Sequence, residues 1–142
     1  MSLVSVSRLL GRGAAPERDC DGCTVCCTVM AVAERNKPGG TRCDAVADAG
    51  CGIHPDRPAA CRAFHCLWLR GGLADAAHRP DQLGVMFDGF IDRADGETRL
   101  VAIELWPGAL GAPAVAPLLD ALAARHPLHL HYRDGRRSVM SV

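Results

Sequence analysis

From Gly84 onward the chain carries its clearest pattern of apolar runs and turn punctuation. Gly84-Val85-Met86-Phe87-Asp88-Gly89-Phe90-Ile91 predicts a strand, Asp95-Gly96 a hairpin turn, and Leu100-Val101-Ala102-Ile103-Glu104-Leu105-Trp106 the returning strand, closed by Pro107-Gly108. Val115, Leu118, Leu119, Leu122 and Ala123 then recur at the three- and four-residue steps of a helix with one apolar face, ending near His126-Pro127. Leu128 to Arg133 and Arg137 to Val142 flank Asp134-Gly135 as a second hairpin. The order is strand, strand, helix, strand, strand. It predicts an α+β fold in which this ββαββ half forms a small antiparallel sheet with one or two helices.

The first half is less regular. Residues 1–19 hold Arg8, Arg12 and Arg18 with two glycines and a proline but no sustained apolar period, which predicts a mobile or loosely docked arm. Val25, Val29 and Val32 recur at helical spacing, so a short helix is expected between Thr24 and Glu34 despite its β-branched content. Asn36-Lys37-Pro38-Gly39-Gly40 reads as a loop, and His54-Pro55-Asp56-Arg57-Pro58 leads into a helix that Gly71-Gly72 stops. The expected organisation is one domain, 20–142, with an irregular cysteine-rich module at 20–72 packed on an α+β scaffold at 80–142.

Composition narrows the class. At 142 residues one domain is the natural size, and with aromatic residues at 4% its core must be built largely from Ala, Val, Leu and Ile. Sixteen basic and sixteen acidic residues cancel, so the overall balance favours neither nucleic acid nor an anionic membrane as a partner. No run approaches the roughly 18 apolar residues of a membrane span, and Leu3 to Leu10, broken by serines and Arg8, is a poor signal-peptide core. A cytoplasmic protein is the expectation.

All eight cysteines lie between Cys20 and Cys66. They are Cys20, Cys23, Cys26, Cys27, Cys43, Cys51, Cys61 and Cys66. Cytoplasmic glutathione keeps ordinary cysteines as thiols, so so dense a set points to a thiolate metal site rather than to disulfides. Soft sulfur ligands suit zinc, copper(I) or an iron–sulfur cluster, whereas magnesium and calcium want oxygen. The count divides into two closed four-sulfur zinc sites. Cys20-x2-Cys23-x2-Cys26 also resembles the first three ligands of the bacterial ferredoxin run, which would take a fourth sulfur from elsewhere and hold a [4Fe–4S] cluster. Zinc is the first choice, with iron or [4Fe–4S] the alternative. Adjacent Cys26 and Cys27 diverge in any regular backbone, so one of them serves a second site, bridges two ions or stays free.

His54 and His65 are candidate nitrogen ligands. His65 shares a helical face with Cys61, whereas Cys61 and Cys66 point about 140° apart on a regular helix. If both cysteines hold one ion, the helix must begin after Cys61 or break before Cys66. Arg57 and Arg62 flank the cluster and could offset its negative charge.

Cys-x2-Cys-x2-Cys-Cys, followed by Lys37-Pro38-Gly39, Cys43, Gly50-Cys51-Gly52-Ile53, Arg57-Pro58 and Cys61-Arg62-x-Phe64-x-Cys66-x-Trp68-Leu69, resembles the bacterial cysteine-cluster family (YkgJ-like). The resemblance is strong over roughly residues 20–70 and looser at Arg79-Pro80-x-x-Leu83-Gly84-Val85 and Trp106-Pro107-Gly108. It implies a zinc- or iron-chelating domain, related to the cysteine region of a flagellin lysine methylase, with no assigned activity. Two departures stand out: His54 replaces the usual aromatic residue after the isoleucine, and Ala45 and Val46 stand where some members carry a further His or Cys.

Other features have plainer explanations. His129 and His131 alternate along a strand as a polar face, and Trp68 and Trp106 are expected in the core. No Ser-His-Asp order, phosphate-binding glycine loop, dinucleotide fingerprint or distinctive carboxylate pair is visible. The sequence therefore reads as a small metal-binding protein, with a protein partner for its scaffold conceivable. The alternative is an iron–sulfur protein with redox or protein-modifying activity.

Overall fold

The computed structural model of the chain describes residues 3–5, 25, 29, 35–39, 41–47, 50–52, 66–67, 73, 76–92 and 94–141. Its frame is a five-stranded sheet in the order β1-β4-β5-β6-β7, comprising β1 (Leu3–Ser5), β4 (Val85–Asp92), β5 (Thr98–Glu104), β6 (Leu128–His131) and β7 (Arg137–Met140). A separate hairpin pairs β2 (Val46–Ala47) with β3 (Gly50–Cys51). Two helices whose full extent lies among the described residues accompany the sheet, the single turn α1 (Pro80–Leu83) and α2 (Ala116–Ala123).

The α+β class and the ββαββ order are as expected, but the sheet is mixed rather than antiparallel. β4 and β5 form the anticipated hairpin, as do β6 and β7, whereas β5 and β6 run parallel, with Leu100 beside Leu128 and Ile103 beside His131. The physical reason is the connection. Residues 105–127 cross over the sheet through a 3-10 turn, Ala109–Gly111, and α2, which returns the chain to the end it started from. Leu3–Ser5 also departs from the expected arm, pairing antiparallel with Phe90–Asp92 along the edge of β4. That edge offers unpaired backbone groups, and even a short segment can satisfy them.

Strand alternation sorts the two faces. Val85 and Phe87 of β4, Leu100 and Ala102 of β5 and Leu128 and Leu130 of β6 share one face. Val115, Leu119, Leu122 and Ala123 cover it, together with Ala109 and Leu110. These are the apolar helical positions anticipated from the sequence, and burial of each large side chain contributes about 1.5–3 kcal/mol. On the opposite face Met86, Asp88 and Val101 are each about 1% exposed, so the sheet is buried on both sides at β4 and β5. Toward β7 that second face opens, and Val139 is 58% exposed.

Turn chemistry agrees with the sequence where glycine is demanded. Gly96 and Gly135 sit in the two hairpin turns at φ +72° and +96°. Gly84 ends α1 at φ +85°, its N–H donating to the Pro80 carbonyl. The short α1, with Pro80 in its first turn and Gly84 after its last, carries the ordinary start and stop signals of a helix. Trp106 departs from its expected core position. It is 47% exposed, and its ring lies over Gly84.

Candidate functional site

Cys43, Cys51 and Cys66 are the candidate ligands within the described residues. Cys20, Cys23, Cys26, Cys27, Cys61, His54 and His65 lie outside them, as do Arg57, Arg62 and Trp68. The structure brings Cys43 and Cys51 onto one hairpin. Val46 donates its N–H to the Cys43 carbonyl at 3.3 Å and pairs with Cys51 across β2–β3, while the Gly52 N–H reaches the Ala45 carbonyl at 2.7 Å. The glycines beside Cys51 thus belong to the second strand of a tight hairpin and its exit.

A cation accompanies Cys43. Arg35 pairs with Asp44, and the Cys43 thiol donates to the same carboxylate oxygen at 3.9 Å, which brings the guanidinium near the thiol. Asp44 raises the Arg35 pKa, and the guanidinium in turn holds the Asp44 carboxyl below its usual range. Asn36 takes a left-handed turn at φ +51°, and Lys37 beside it is buried. Sequence reasoning placed the compensating charge on Arg57 and Arg62 and missed Arg35. Seven residues separate Arg35 from Cys43, and nothing in that spacing announces that both meet Asp44.

Cys66 is fixed differently. The Leu67 N–H donates to the Phe87 carbonyl of β4 at 2.8 Å, and Cys66 and Leu67 both pack against the main core. Neither residue is helical, so the helix expected to continue to Gly71 does not include Cys66 and Leu67. Backbone hydrogen bonding to β4 competes successfully with helix propagation there. The regular-helix geometry that would set Cys66 about 140° from Cys61 therefore does not apply at Cys66. Cys43 and Cys66 are half-buried, and neither is in a disulfide. Sulfur is a soft donor that suits a thiolate site, although among the described residues no three His, Cys, Asp or Glu side chains gather into a metal-binding group.

A second feature lies at the open end of the sheet. Val25 and Val29, both helical and one turn apart, line a cavity of about 580 Å³ with Ile103, Leu105 and Trp106. This bears out helical geometry at two of the three valines that predicted it. His131, Tyr132, Arg133 and Arg137 bring polar groups to the same space, with Asp81 and Glu104. Glu104 is buried and committed: its two oxygens accept the Leu110 N–H at 3.0 Å and the Arg133 N–H at 2.9 Å. Asp81 is held by both forks of Arg79, at 2.5 and 2.9 Å. Burial, reinforced by Arg137 and His129, pushes the His131 pKa down.

Comparison with protein-family models, curated proteins and solved structures finds no match. The chemistry of the residues must carry the functional reading. No helix among the described residues is long and apolar enough to cross a membrane.

Proposed function

We propose that the chain is a metal-binding protein whose segment Cys20–Cys66 chelates zinc, or alternatively iron, through thiolates, with the α+β sheet as its scaffold. The observation that carries this reading is the confinement of all eight cysteines to that segment. The half-buried placement of Cys43 and Cys66, neither of them in a disulfide, supports it, as does the Arg35 guanidinium held near Cys43 through Asp44. Cys20, Cys23, Cys26, Cys27, Cys43, Cys51, Cys61 and Cys66 are the ligand set, with His54 and His65 as supplementary donors. Chelation agrees with the resemblance to the YkgJ-like cysteine-cluster family. A reducing, cytoplasmic setting would keep the thiols available.

Closed four-sulfur shells leave no coordination position for substrate, which favours a binding module over an enzyme. A second reading rests on Cys20-x2-Cys23-x2-Cys26. That spacing suits three ligands of a [4Fe–4S] cluster, whose redox chemistry would then be available for electron transfer or modification of another protein. Metal analysis and an absorption spectrum of protein purified without oxygen test both readings. Colourless protein with stoichiometric zinc supports the first. Brown protein with iron and sulfide supports the second. Metal-free protein whose cysteines react with an alkylating agent only after reduction would overturn the thiolate site altogether.

A further inference from the structure

We infer that the cavity at the open end of the sheet's second face binds a small amphipathic carboxylate, its apolar body against Val25, Val29 and Ile103 and its anionic head toward Arg133 and Arg137. None of the described residues lining it is a cysteine. Three observations support it. A volume of about 580 Å³ falls in the range of small-molecule sites, which run from about 300 to 1,000 Å³. The wall is divided by chemistry: Val25, Val29, Ile103 and Leu105 supply apolar surface, while Arg133 and Arg137 come from around the β6–β7 turn.

The third observation is charge. Both carboxylates of the lining already have partners, Glu104 in two backbone N–H groups and Asp81 in Arg79. Arg136 is likewise committed, pairing with Asp134 at 2.8 Å and lying 4.4 Å from the centre of the Tyr132 ring. Among the described residues neither Arg133 nor Arg137 pairs with a carboxylate, and Arg137 donates only to the Gly135 and Arg136 carbonyls at 3.2 Å. With Asp81 offset by Arg79, the two guanidiniums outweigh the single Glu104 carboxylate, whose oxygens already face backbone donors, so the charge facing a ligand is positive. A guanidinium recognises a carboxylate through two parallel hydrogen bonds, which favours that head group over an alcohol or an amine.

The test uses the full chain as purified. Octanoate, 1-octanol and octylamine are titrated by calorimetry and by methyl-detected nuclear magnetic resonance. Octanoate is expected to bind saturably and to move the methyl signals of Val25, Val29, Ile103 and Leu105, with octanol at least about tenfold weaker and octylamine silent. Arg133→Gln with Arg137→Gln should weaken octanoate about tenfold, while Arg125→Gln, beyond α2 on an exposed residue, should leave it unchanged. Circular dichroism checks that these exposed substitutions leave the fold intact. No saturable binding, equal binding of all three head groups, or shifts confined to Leu119, Leu122 and Leu128 would overturn the assignment.

Discussion

Gly84→Ala tests the packing that joins α1 to the end of β5. Gly84 holds φ +85°, donates its N–H to the Pro80 carbonyl at 2.9 Å and accepts the Leu105 N–H at 2.9 Å, so its backbone is pinned at both ends. An added Cβ would stand 2.5 Å from Cζ2 and 2.7 Å from Cε2 of Trp106, and 3.0 Å from the Ala109 Cβ. Carbon atoms settle near 3.5–4.0 Å, so the overlap with the ring is about 1 Å. The left-handed backbone costs an L-residue roughly 1–2 kcal/mol, and overpacking of this kind adds about 1–3 kcal/mol. A loss of about 2–5 kcal/mol is expected. In a Trp106→Ala background the ring overlap vanishes, leaving the backbone cost of about 1–2 kcal/mol and the lesser Ala109 contact. Urea unfolding of the four proteins, followed by far-ultraviolet circular dichroism, gives the cycle. A Gly84→Ala cost equal in the two backgrounds within about 0.5 kcal/mol would show that Trp106 does not cover Gly84, and the reasoning would fail.

Glu104→Ala strands the Leu110 and Arg133 N–H groups; at roughly 1–3 kcal/mol per buried unsatisfied group, and with Arg133 nearer solvent, the loss should be about 2–4 kcal/mol, read from the urea midpoint. A change below about 0.5 kcal/mol would deny the clamp its role. Asp92 is held below its ordinary pKa of 3.8 mainly by the Ala94 N–H and then by Arg99, against the opposing effect of burial. A lowered folded pKa means that this contribution is complete above the unfolded value and is lost as pH falls through the folded one. Wild type and Asp92→Asn should therefore differ constantly above about pH 5 and converge below about pH 4, and parallel pH profiles would contradict this. His131 lies below its ordinary value of 6.5, by burial first and then by Arg137 and His129, so its folded form favours the neutral ring. Its contribution is complete above the unfolded value and lost as pH falls through the lowered folded one. The imidazole proton signals should titrate below that ordinary value, and Arg137→Gln should raise the midpoint only part of the way back; an unshifted midpoint in wild type would refute the burial.

The scaffold was legible wherever one local rule governed it. Val115, Leu119, Leu122 and Ala123 occupy the buried positions that their spacing predicts, and Gly96 and Gly135 occupy the hairpin turns. Strand direction was not legible in the same way. Alternation along β6 is the same whether its neighbour runs parallel or antiparallel, so Leu128 and Leu130 announce a strand but not its sense. Only the crossover containing α2 decides it. Trp106 misled because a large aromatic ring ordinarily marks a core, whereas here Gly84 provides a backbone platform on which the ring lies half exposed. For the candidate metal centre, residue types were readable but neighbours were not. The approach of Arg35 to Cys43 runs through Asp44, which both contact, and departure from helix at Cys66 depends on the Phe87 carbonyl, which is distant in sequence.

That last contact bears on how the two halves would share stability. Cys66 lies immediately before a residue whose N–H is bonded to strand β4, and its side chain packs against the same core as α2. A thiolate ligand at this position would be anchored by the sheet before any ion arrives, which lowers the conformational cost of assembling the site. The linkage is reciprocal. Binding energy gained by the folded segment and not by the unfolded chain counts toward folding, and structural zinc sites bring about 10–16 kcal/mol of it at neutral pH. A domain with aromatic residues at only 4% has few large side chains with which to build a core. In the proposed metalloprotein the ion would therefore stabilise the sheet through Cys66 and Leu67, while β4 would position the ligand that holds the ion.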